Sequence, residues 1–161
     1  MLASLPVEGE TLGLTAWLVV IHVASAILLI APSGAFAVLG KRASDPSTGG
    51  FHMLEAMLEI EHKYVLPGSV VQLVTGLWLM VRLDLDQNLF DHLWLVISLV
   101  LFIALLGLST AVDIPAIKRI VAAAKAGNAP DPKDIKVSMV LGPIFGIMFF
   151  IITLLMMIKP F

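Results

Sequence analysis

Cysteine is absent from all 161 residues. That removes disulfides, thiolate zinc sites, iron–sulfur ligation and cysteine nucleophiles together. Charge is scarce as well: 14% of residues are Asp, Glu, Lys or Arg, where soluble domains carry about 25%. The ten basic residues form no tail and the net charge is −2, so nucleic acid is not an expected partner. No glycine-rich phosphate loop follows a strand, and no Ser–His–Asp set has a defensible geometry. What the chain has in quantity is apolar surface: 59% hydrophobic residues and a mean hydropathy of +1.00. The expectation is one integral membrane domain over residues 1–161, with the lipid bilayer as its main partner.

The spans emerge from the gaps between ionisable residues. Thr11 to Gly40 contains only His22, and Tyr64–Val81, Leu93–Val112 and Val137–Ile158 contain none. A helix rises about 1.5 Å per residue and the hydrocarbon core is about 30 Å thick, so each gap is long enough to cross. Unpaired backbone is prohibitive in lipid, which favours helices over open strands. The fold class expected is therefore all-α: an antiparallel bundle of four transmembrane helices spanning about 12–39, 64–81, 93–115 and 137–158. Pro32-Ser33-Gly34 marks a kink in the first. The short outer connection Arg82–His92 makes spans two and three antiparallel neighbours. Ser44 to Gly50 reads as a turn-rich loop, after which Phe51–Lys63 extends span two. Ile114–Ala126 extends span three, stopping at Gly127-Asn128. Gly142-x-x-x-Gly146, and Gly68 with Gly76, are expected at helix contacts.

Orientation follows from eight basic residues on one side: Lys41, Arg42, Lys63, Lys118, Arg119, Lys125, Lys133 and Lys136. Only Arg82 and Lys159 fall on the other. The positive-inside rule puts both termini on the non-cytoplasmic side and extends helices two and three into the cytoplasm. Trp17, Trp78 and Trp94 fall near the outer span ends, as an interfacial belt requires. The first apolar run has no basic segment before it and no convincing cleavage site, so it reads as a retained helix.

Polar groups inside spans are costly, and so they carry most of the functional information. His22, Gln72, Thr75, Ser98 and Thr153 lie at comparable depths below the outer ends, predicting a polar layer in the outer half of the bundle. Two roles fit His22. It can hydrogen-bond to Gln72 or Thr75 and lock two helices, or it can ligate haem iron in an apolar slot between helices. For the second axial ligand the candidates are His92, about 10 Å farther out by helical rise, and the thioethers of Met80 and Met148. At the inner face His52, Glu55, Glu59 and His62 share one side of a helix. Glu59-x-x-His62 has the spacing of di-iron bundles but occurs once. Asp113 is the nearest partner for a metal there, or a cap for backbone freed near Pro115. Otherwise the stripe is a solvated face with a Glu59–Lys63 ion pair, and Glu61 points away from it. Few intramembrane charges argue against an ion pump or voltage sensor. A channel would require oligomerisation.

Two runs carry a resemblance. Trp17-Leu18-Val19-Val20-Ile21-His22-Val23-Ala24-Ser25-Ala26 resembles the first-helix histidine signature of small bacterial four-helix membrane proteins. Pro67-Gly68-Ser69-Val70-Val71-Gln72-Leu73-Val74-Thr75-Gly76-Leu77-Trp78 resembles their second-helix pattern. The chain is similar to an uncharacterised bacterial integral-membrane family, and in plan to HemJ-type protoporphyrinogen oxidases and CopD-type copper-resistance proteins. The HemJ likeness implies a haem b held by His22, a redox or porphyrin-handling role and the bacterial inner membrane. That type also uses a lysine from a later helix, and no lysine lies within an apolar run here. The CopD likeness implies copper handling, for which no outer Met/His cluster is present. The other expectation is a non-catalytic subunit or assembly factor, as a homo-oligomer or within a larger membrane complex, with His22, Gln72 and Thr75 as interhelical glue.

Overall fold

A computed structural model describes residues 9–43, 50–85, 87 and 89–159, and the turn-rich stretch before Gly50 lies outside them. The described residues form helices and short turns. Helix one is α1 (Gly9–Ala43), continuous through Pro32. Helix two joins α2 (Gly50–Ile60) to α3 (Leu66–Arg82) through a π-turn, Glu61–Val65. Helix three joins α4 (Leu93–Leu108) to α5 (Ile114–Lys125) through a second π-turn, Ser109–Asp113. Helix four is α6 (Pro132–Ile158). Four helical segments are long and apolar enough to span a membrane: Gly13–Pro32, His52–Arg82, Leu93–Lys125 and Pro132–Ile158.

The two π-turns have one local cause. Pro67 and Pro115 each stand second in the α-helix that follows a π-turn. A helical proline lacks the N–H for its i−4 carbonyl, and its ring crowds that carbonyl. Here those carbonyls belong to Lys63 and Ala111, inside the π-turns. Widening the turn relieves the crowding. The ladder resumes with Leu66 N–H donating to the Glu61 carbonyl and Ile114 N–H to that of Ser109.

Packing is pairwise. α1 lies along α3, α4 along α6, α2 against α5, and α1 also touches α6. Helices two and three thus meet through α2 and α5. Their other halves, α3 and α4, pack on different partners and make no comparable contact with each other among the described residues. The two spans are packing neighbours through α2 and α5, while the short loop brings the ends of α3 and α4 together without packing them on each other. The reason is chemical. The buried residues of α4 (Trp94, Ser98, Phe102 and Leu105) recur at helical spacing on one face, and α6 covers it. The small-residue face of α3 is covered by α1.

On that α1–α3 face, Leu18, Ser25 and Leu29 of α1 are buried opposite Gly68, Ser69 and Thr75 of α3. A methyl group at Gly68 would sit 3.4 Å from Leu29 Cδ2, and one at Gly76 only 2.9 Å from His22 Cε1. These glycines therefore lie at a close helix contact, as the sequence suggested. Gly142 and Gly146 do not: both are exposed, and a methyl group at either would meet nothing within 4 Å. This GxxxG motif faces outward from α6.

Candidate functional site

Two polar clusters sit among the apolar helices. The outer one joins α1 to α3 through His22. Its Nδ1 lies 2.9 Å from Thr75 Oγ1, and its Nε2 lies 2.9 Å from Gln72 Nε2. Thr75 donates its own hydroxyl proton to the Val71 carbonyl at 2.7 Å, so toward His22 it is an acceptor. That places the imidazole proton on Nδ1 and the lone pair on Nε2, where the Gln72 amide donates to it. The Gln72 carbonyl oxygen in turn accepts from the Ser25 hydroxyl. Among the described residues no buried side-chain nitrogen or oxygen lacks a partner.

This network is narrower than the layer expected. Ser98 donates to the Trp94 carbonyl and Thr153 to the Phe149 carbonyl. Each is satisfied four residues back on its own helix, the cheapest solution for a hydroxyl in lipid. His92 precedes α4, where its ring stands edge-on to Trp94 with centroids 6.3 Å apart. Lys159 lies over the Trp94 ring from the end of α6, 5.5 Å from the centroid. Among the described residues no hydrogen bond joins His92 to the His22 network.

An axial haem ligand needs a free ring lone pair with an open slot beside it. The Nε2 lone pair of His22 is taken by Gln72, its Nδ1 faces Thr75, and its Cε1 edge rests against Gly76. The residues as placed do not fit the group: iron could reach His22 only after the Gln72 amide had withdrawn.

The inner cluster lies at the π-turns. Ser109 donates to Glu61 Oε1 at 2.8 Å, tying helix three to helix two. Ser138 of α6 donates to Asp113 Oδ1 at 3.0 Å. Glu61 and Asp113 share the wall of a cavity of about 20 Å3 with Met57, Leu58, Ile114 and Ile117, room for about one water. Asp113 therefore does not cap the backbone near Pro115; its carboxylate makes no capping bond and turns to α6 instead. Glu61, expected only to point away from the stripe, is the carboxyl that helix three receives.

The His52–Glu55–Glu59–His62 stripe is dispersed among other contacts. Glu59 pairs with Lys63 at 2.5 Å, Glu55 with Lys125, and His62 Nδ1 hydrogen-bonds the Leu58 carbonyl at 2.8 Å. Arg119 grips Asp134 through both Nε and Nη2. Among the described residues no three His, Asp or Glu side chains converge as a metal site would require.

Four apolar helices with polar side chains gathered between them define a multi-pass integral membrane protein. Residues 16–160 match the family described as predicted integral membrane protein (DUF2269), and the chain belongs to that family. No curated protein and no solved structure matches it.

Proposed function

We propose that this protein is a non-catalytic membrane subunit or assembly factor in which His22 locks α1 to α3, and that haem ligation is not its role. The observation that carries this reading is the commitment of both His22 ring nitrogens to side chains of α3. Haem b on His22, implied by the likeness to HemJ-type proteins, would require that network to open. Both termini lie outside the cytoplasm in this reading, supported by eight basic residues at the opposite ends of the spans. A bacterial inner membrane is the setting that suits this arrangement.

A double-mutant cycle on His22→Ala and Gln72→Leu, read by reversible unfolding in mixed micelles, tests the lock. Interhelical hydrogen bonds in membranes contribute about 0.6 kcal/mol on average and up to about 1.7. A coupling of that size between the two substitutions is the expected result. Strict additivity would remove the lock from the proposal.

A further inference from the structure

A cleft apart from the His22 network lies at the N-terminal end of α6, beside the Asp113–Ser138 hydrogen bond. It encloses about 420 Å3 between Val112, in the π-turn of helix three, and Lys133, Lys136, Val137, Val140 and Leu141 of α6. Its walls are aliphatic. Leu141 is buried at 9% exposure, while Val112 and Val140 stand open at 39% and 50%. Lys133 and Lys136 line it with their carbon stems only; three residues apart on one face of the helix, they leave their ammonium groups to the rim of the cleft.

Those lysines are available. Arg119 is bound by Asp134, Lys125 by Glu55 and Lys63 by Glu59. Lys133 and Lys136 have no ion-pair partner among the described residues. The carboxylate next to them, Asp131, is turned to the backbone N–H of Lys133. From Val140 the apolar surface continues outward through Ile144, Ile147 and Ile151, all exposed. At about 1.5 Å per residue this track is about 16 Å long.

We propose that this cleft binds one anionic phospholipid, its phosphate between Lys133 and Lys136 and an acyl chain along Val112, Val140 and Ile144. Two unpaired cations on one helical turn call for an anion. Aliphatic walls leading into the membrane call for a hydrocarbon tail. An anionic lipid supplies both, and a basic pocket between helices at the headgroup boundary is where such lipids are held.

The test uses the full chain in detergent, titrated with phosphatidylglycerol or phosphatidylcholine and read by native mass spectrometry. One phosphatidylglycerol retained per chain, over phosphatidylcholine, is expected. Lys133→Gln with Lys136→Gln should weaken it roughly 30-fold, from the usual contribution of two basic residues near an anionic lipid. Lys118→Gln with Lys125→Gln removes equal charge outside the cleft and should leave retention unchanged. Val140→Trp, which fills the cleft and keeps its charge, should also reduce retention. Equal loss in the control pair would reduce the effect to surface charge and overturn the proposal. So would equal retention of phosphatidylcholine, or displacement of the lipid by inorganic phosphate, which would mark a free-anion site.

Discussion

Gly76→Ala adds one methyl group against His22 in the α1–α3 contact. That methyl would stand 2.9 Å from His22 Cε1, where carbon atoms prefer about 3.5–4.0 Å. The imidazole must retreat by roughly 0.6–1 Å. It cannot do so freely, because Thr75 and Gln72 hold its two nitrogens at 2.9 Å each. Such a shift stretches at least one bond beyond hydrogen-bonding range. At about 0.6–1.7 kcal/mol per interhelical bond, losing one or both costs roughly 1–3 kcal/mol. Replacing glycine within a helix returns up to about 1 kcal/mol, so a net loss of up to about 2 kcal/mol is expected. Gly107→Ala is the control, because a methyl there meets nothing within 4 Å; only the gain applies. Unfolding both variants in mixed micelles should separate them in opposite directions from the parent chain. Equal stabilities for the two would refute the reasoning.

Gly68→Ala should be nearly neutral in the same assay, since its methyl would meet only the flexible end of Leu29 at 3.4 Å; a loss as large as that of Gly76→Ala would count against the contact described. Ser109→Ala removes the hydroxyl that Glu61 accepts from. A loss of about 1–3 kcal/mol is expected by unfolding, while Glu61→Gln, whose amide keeps an acceptor for Ser109, should lose less. The chain has no cysteine, so Gln87→Cys and Asn128→Cys can be labelled singly in intact cells with a membrane-impermeant maleimide. Gln87→Cys should react and Asn128→Cys should not, and the reverse pattern would invert the topology.

The helices were legible because lipid penalises charge: the gaps between Lys, Arg, Asp and Glu marked where apolar helices could run. The His22–Gln72–Thr75 set was legible for the same reason, with Gln72 and Thr75 sharing one helical face. The inner cluster was not, because spacing along a uniform α-helix does not survive a π-turn. The extra residue rotates the remainder of the helix by about 100°, so the roles of Glu61 and Asp113 could not be read from spacing alone. Pro67 and Pro115 were the visible marks of that irregularity. Glycine pairs were ambiguous for another reason. Gly68 and Gly76 meet α1, whereas Gly142 and Gly146 face outward, and their spacing on the helix is no guide to which. The short outer loop likewise fixed chain proximity but not which faces of α3 and α4 were complementary.

In the proposed function the His22 ring belongs to α3 and not to iron. The direct test is the visible spectrum of the protein purified in mild detergent from haem-replete cells, oxidised and dithionite-reduced, beside His22→Ala. A colourless, folded parent chain is the expected result, with His22→Ala altered only in stability. A Soret peak with reduced α and β bands that vanishes in His22→Ala would contradict it.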